Sequence, residues 1–246
     1  MYRYFRKWDP RITSCFTICR SFYIRSIVGE ASDQPLNKHK KMESNVPACK
    51  VLREEEICRG KWLALHNYHW QDQNSKQRVW EVVSRTTRKE QPHDIVAIVA
   101  TVKGTSLPES LILVKQFRPP LKNYTIEVPA GLVDDNESAE DAALRELKEE
   151  TGYTGTISGI SGITALDPGI SNITMKIVSV EVDGSASVNQ NVSKVCGVDG
   201  ERTEVLLVPL LSLQSALAEF ASDGMIVDSR VGALALGLSL SHNKTG

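Results

Sequence analysis

The sequence predicts an α+β fold, a mixed β-sheet with helices packed on it. Two observations carry this. Short apolar or alternating runs, bounded by Gly, Pro, Asn and Asp, recur along most of the chain without forming a repeat. Helical periodicity is confined to one segment in the middle and two at the end, so strands and helices do not alternate as βαβ units.

In chain order, "MYRYFRKWDPRITSCFTICRSFYIRSIVGEASDQ" is Arg-rich and acid-poor, with only Asp9 before Glu30. That composition fits either a mitochondrial transit peptide or a disordered extension, with Met42 opening the functional protein. "DQPLNKHKK" reads as a linker. "KWLALHNYHW" and "QRVWEVVSRT", joined by the polar "QDQNSKQ", predict a hairpin. "DIVAIVATV" and "ESLILVKQF" predict buried strands, and "YTIEVPAG" a strand ending at a Pro-Ala-Gly turn. The acidic segment that follows is the clearest helix: Ser138 caps it, Asp141 completes a capping-box-like pair, and Gly152 stands at the C-cap. "TGTISGISGIT" and "ITMKIVSVEV" return to strand alternation, "GSASVNQNVSKVCGVDGE" is a long polar loop, "TEVLLVPL" a strand and "LQSALAEFASDG" a helix. "DSRVGALALGLSLS" alternates like a strand, but its Asp/Ser start and Ala/Leu content favour a helix.

The formal charge of −1 over 246 residues gives no nucleic-acid footprint. Five cysteines without metal-site spacing point to a reduced compartment rather than a disulfide framework. No apolar run approaches the roughly 20 residues of a membrane-spanning helix, so neither nucleic acid nor membrane is an expected partner. His39, His66, His69, His93 and His242 suggest no catalytic dyad and read as structural or surface residues.

"GLVDDNESAEDAALRELKEETGY" crowds eight carboxylates into one stretch. At about 100° per residue, Glu146, Glu149 and Glu150 fall within a roughly 100° arc, where like charges repel. Ala139 and Ala142 share that arc and leave the carboxylates unshaded, while Leu144 and Leu147 point toward a core. An ordinary solvated helix would interleave lysines with these acids, yet only Lys148 intervenes, and it points away. A divalent cation removes the repulsion, and carboxylate oxygens with room for substrate phosphates are what Mg²⁺ prefers.

The spacing Gly131, Glu137, Arg145-Glu146-Leu147, Glu149-Glu150, Gly152 resembles a complete Nudix box. That resemblance implies an α/β/α sandwich around a mixed sheet, and hydrolysis of a nucleoside diphosphate linked to another moiety. It implies that Glu146, Glu149, Glu150 and the Ala130 carbonyl hold Mg²⁺ (or Mn²⁺ as substitute), that Glu149, Glu150 and Arg145 serve catalysis, and that Glu137 pairs with Arg145. "GKWLALHNY", "RVWEVVSRTTRKEQ", "ILVKQFRPPLKNYTIEVPAGL", "ALDPGISN" and "VDSRV" are similar to the ADP-ribose (ADP-sugar) pyrophosphatase branch. This implies a domain order of extension (1–41), N-terminal β lobe used in dimerisation (42–92) and Nudix hydrolase domain (93–246).

By the same resemblance, Trp62 and Trp80 sandwich an adenine, drawn in a homodimer from different chains. Glu81 reads the adenine amino group, Arg85 a phosphate or the base, Arg118 and Glu127 the diphosphate and metal region, and Asp167 the terminal ribose. Leu132 also belongs to the substrate-binding set. The general base falls on Glu204, with Glu201 the substitute because the preceding loop aligns poorly. The implied reaction is ADP-ribose to AMP and ribose 5-phosphate. A UDP-sugar or oxidised guanine nucleotide hydrolase, or a silent Nudix-fold binding module, stand as alternatives. The resemblance implies a cytoplasmic or nuclear enzyme, and a mitochondrial one if residues 1–41 are a transit peptide.

Overall fold

The computed structural model describes residues 48–88, 92–104, 106, 108–193, 195–196 and 203–242. The N-terminal extension and Glu201 lie outside them. The first element is one the sequence reading missed. Strand β1 (Lys50–Arg59) pairs antiparallel with β2 (Leu63–Gln71), which forms the expected hairpin with β3 (Gln77–Arg85). Every residue of β1 is exposed, so its run "REEE" carries no in/out alternation to betray a strand.

The larger sheet is mixed. Its main path begins with the two-residue β11 (Val195–Cys196) and β12 (Thr203–Pro209). It continues through β5 (Ser110–Arg118), β4 (Ile95–Lys103), β10 (Thr174–Asp183) and β8 (Thr156–Ile160). The central β4–β10 pair is parallel, in register from Ile95↔Met175 to Lys103↔Asp183. Strands β6 (Asn123–Glu127), β7 (Ala130–Leu132), β9 (Thr164–Ala165) and β13 (Ile226–Val227) attach to its edges and ends. Two of these short pieces, β9 and β11, fall in segments read as one continuous strand and as one loop.

Strand alternation divides the core between two faces. Val96, Ile98, Ala100 and Val102 of β4, Ile112, and Val178, Val180 and Val182 of β10 meet helix α1 (Ala139–Thr151) through Ala142, Ala143 and Leu147. Ile95, Ala97, Leu111, Leu113 and Ile126 meet the opposite layer, helices α2 (Leu213–Ser222) and α3 (Ser229–His242), through Leu213, Leu217, Val231 and Ala235. This is the expected α/β/α sandwich, and the ambiguous last segment is a helix. The turn Leu166–Ser171 docks on β3: Val83 N–H donates to the Ile170 carbonyl at 2.8 Å and Trp80 Nε1 to the Gly169 carbonyl at 3.0 Å.

Candidate active site

Local chemistry builds the centre of the site. Ser138 Oγ accepts from the Asp141 N–H at 3.0 Å, and Gly152, with φ 75°, caps the other end through a bond to the Lys148 carbonyl. The helix so framed lies against β7. Ala130 N–H donates to Glu150 Oε2 at 3.1 Å. A Cβ on Gly131 would occupy the place of the Glu146 carboxylate, so a side chain here would push that carboxylate out of its present position. The carboxylate arc is therefore not the open face that Ala139 and Ala142 suggested. Both alanines are buried, and their small side chains bring the helix close enough that Glu146 and Glu150 turn inward.

Arg145 ties this arrangement together. Its fork grips Glu137 (Nε–Oε1 2.8 Å, Nη2–Oε2 2.9 Å), Nη2 also donates to the Leu132 carbonyl, and Nη1 reaches Glu146 at 2.8 Å and Glu149 at 3.3 Å. Glu137 in turn accepts from the Asp134 N–H. These charge-assisted bonds raise the Arg145 pKa, chiefly through Glu137.

Burial works against the acids. It pushes Glu150 up to about 7, with Glu146 adding to the rise and the Ala130 N–H opposing it. Glu146 is also raised, mainly by burial, against the pull of Arg145. Glu127 differs. Burial would raise it, but bonds from Arg118 (2.7 Å to each oxygen) and Thr125 hold it below the usual carboxylate value. Arg118 and Glu127 both act electrostatically on Glu150, which places them beside the helix carboxylates. Arg230 of α3 closes this network at 3.8 Å from Glu127 while holding Asp228. Thr125, Asp228 and Arg230, which join this network, were not named by the sequence reading, although "VDSRV" contains the last two.

The candidate donors are hard oxygens, the Ala130 carbonyl and the carboxylates of Glu146, Glu149 and Glu150, and burial raises two of those carboxylates, Glu146 and Glu150. That chemistry suits Mg²⁺. Among the described residues, no group of three His, Cys, Asp or Glu side chains is already gathered for a metal ion. Arg145 Nη1 stands between Glu146 and Glu149 instead.

Other expected residues stand elsewhere. Glu204 alternates with Thr203, whose hydroxyl bonds the Glu150 carbonyl beneath α1. In register with Lys115, Glu204 shares the face of Leu206 and Leu113, opposite α1, and pairs with Lys115 at 3.2 Å. The described geometry thus turns Glu204 away from the carboxylates. Trp62 and Trp80 do not meet within one chain. Thr86 bonds the Trp62 carbonyl while Trp80 pairs with Tyr68, so six strand positions, roughly 20 Å, separate them. Trp80 packs edge-to-face on Trp70 in a groove with Tyr68 and Pro168, and Glu81 is its exposed neighbour. Trp62 lines a different pocket with Arg85 and Leu132. Asp167 lies in the docked turn, its carbonyl accepting from Ile170 and Ser171.

Comparison with known proteins matches residues 91–209 to the NUDIX domain model. A Nudix hydrolase of Schizosaccharomyces pombe is 45% identical over 178 residues, covering 72% of this chain and 86% of that protein. The ADP-sugar pyrophosphatase of Mus musculus is 41% identical over 195 residues (79% and 89%), and the ADP-ribose pyrophosphatase of Saccharomyces cerevisiae 36% over 206 residues (83% and 87%). The crystal structure of an ADP compounds hydrolase superposes with a TM-score of 0.56 at 19% identity, over 82% of this chain and 97% of that one, a likeness of fold alone.

Proposed function

The chain belongs to the Nudix hydrolase family, and from that premise we propose that it hydrolyses the diphosphate of ADP-ribose to AMP and ribose 5-phosphate, with other ADP-sugars as further substrates. The observation that carries this is the inward-turned carboxylate pair Glu146 and Glu150, clasped against a glycine strand beside the Arg118–Glu127 clamp. The relatives named as ADP-sugar and ADP-ribose pyrophosphatases, alike over most of both chains, support the substrate class.

In this reading Glu146, Glu149, Glu150 and the Ala130 carbonyl hold Mg²⁺, with Mn²⁺ as substitute. When bound, the ion neutralises diphosphate charge and acidifies a water molecule. The chain's own residues do the rest. Arg145 and Glu137 fix the helix against its loop, so the carboxylates stay in one geometry. Arg118, held by Glu127, presents a planar cation to a phosphate oxygen. Leu132 lies where β7 enters the Trp62 pocket, and Asp167 is assigned the terminal ribose. The general base is assigned to Glu201, since Glu204 faces Lys115.

We further propose a homodimer. An adenine held between Trp62 and Trp80 needs Trp80 and Glu81 from a second copy, given their separation within one chain. The exposed apolar residues Val51, Leu52 and Ile57 of β1 offer a surface to bury in that assembly.

The test is to incubate the purified protein with Mg²⁺ and, separately, ADP-ribose, UDP-glucose and 8-oxo-dGDP. The expected outcome is AMP and ribose 5-phosphate from ADP-ribose at the highest kcat/KM. Turnover of another substrate with no AMP from ADP-ribose would overturn the assignment. No turnover of any would return the silent binding module.

A further inference from the structure

Among the described residues five buried side-chain nitrogens and oxygens lack a hydrogen-bond partner, and three of them, Arg85 Nε and both ring nitrogens of His93, belong to residues lining one pocket. The pocket has a volume of about 260 Å³, and Trp62, Arg88, Leu132 and Asp134 are among the other residues of its wall. That is below the ~300–1,000 Å³ of a site for a whole drug-sized ligand and suits one ring system of a larger one.

His93 is fixed there by its surroundings. Its neighbour Asp94 binds Thr174 through both backbone and carboxylate, accepts from the Val133 N–H, and pairs with Arg88 at 3.2 Å. The imidazole is only 7% exposed, so water reaches it poorly. Burial, helped by Lys176, pushes its pKa down against Asp94 and Glu140, leaving a neutral ring with one donor and one acceptor. A buried polar group left unpaired is destabilising, and such groups in native proteins call for an explanation. Trp62, at 61% exposure, supplies the aromatic surface at the same pocket, with Lys61 Nζ 4.6 Å from its ring centroid.

We propose that His93 is a further substrate-binding residue, its buried ring turning, together with Arg85, toward the hydrogen-bonding edge of an adenine stacked on Trp62. This rests on the reading of Trp62 as a base platform. In that role His93 helps to set base preference, because the indole face alone stacks on any base.

The test is titration calorimetry of the full chain with AMP and with UMP, for the wild type, His93→Leu and His93→Gln. Loss of one or two neutral hydrogen bonds predicts an AMP Kd raised about threefold to tenfold in His93→Leu. UMP should change less than about twofold, the melting temperature should not fall, and His93→Gln should recover part of the AMP affinity. An unchanged AMP Kd overturns the proposal, as does a wild type that binds no AMP. Equal weakening of AMP and UMP would assign His93 to packing alone. Because these readouts need no turnover, failure of ADP-ribose hydrolysis with the AMP effect intact would sink the substrate assignment and leave the His93 role standing.

Discussion

The helix face of α1 and the pocket at Trp62 are opposites. Around α1 the described donors are engaged: Arg145 serves Glu137, Glu146, Glu149 and the Leu132 carbonyl, and the Ala130 N–H serves Glu150. At Trp62 the ring stands open, and Arg85 Nε and both His93 nitrogens have no partner. The first region is finished within one chain. The second is unfinished, and its counterpart Trp80 lies roughly 20 Å along the ladder. Reaction chemistry and substrate grip are thus separable parts of the molecule.

Breaking the finished region should cost most. Glu150→Gln removes a proposed metal ligand while keeping shape and the bond from Ala130. It should lower kcat on the order of a hundredfold to a thousandfold, several kcal/mol of barrier, with an unchanged circular dichroism spectrum. A variant near full rate would remove Glu150 from the metal set. Arg145→Ala leaves Glu137 and Glu146 without their cation. We expect a loss of about 2–4 kcal/mol, seen as a Tm lower by roughly 4–16 °C. A Tm within a degree of wild type would mean that the network contributes little.

The smallest effect should come from Glu204→Gln, since this side chain is 51% exposed and pairs with Lys115 on the far face. Turnover within about twofold of wild type is expected, and the surface ion pair should be worth no more than ~1 kcal/mol. A loss comparable to that of Glu150→Gln would restore Glu204 as the base.

The same contrast explains what was legible in the sequence. Ser138, Gly152, Glu137 and Arg145 act over less than three helical turns, so fixed spacing encodes them, and the structure has them where the pattern put them. The helix was legible but its orientation was not, because burial of Ala139 and Ala142 depends on how closely the sheet approaches. The facing of Glu204 was hidden for a related reason. A one-residue step along β12 moves a side chain between faces, and only the register with β5 shows that Thr203, not Glu204, lies under α1. Strand β1 escaped because all of its residues are exposed, so no in/out alternation marks it. Arg230 escaped because its contact with Glu127 joins positions distant in sequence.

The division between a finished and a shared region is tested most directly by complementation. Trp62→Ala and Trp80→Ala are each expected to lose about 1–3 kcal/mol of base stacking and to raise KM accordingly. Co-expressed, the two variants should, if the proposed dimer forms, give mixed dimers in which one site carries both substitutions and the other carries neither. Half of randomly paired dimers are mixed, so the preparation should recover about a quarter of the wild-type kcat/KM for ADP-ribose, well above either variant alone. Activity equal to the mean of the two separate variants would contradict the account and put both tryptophans to work within single chains.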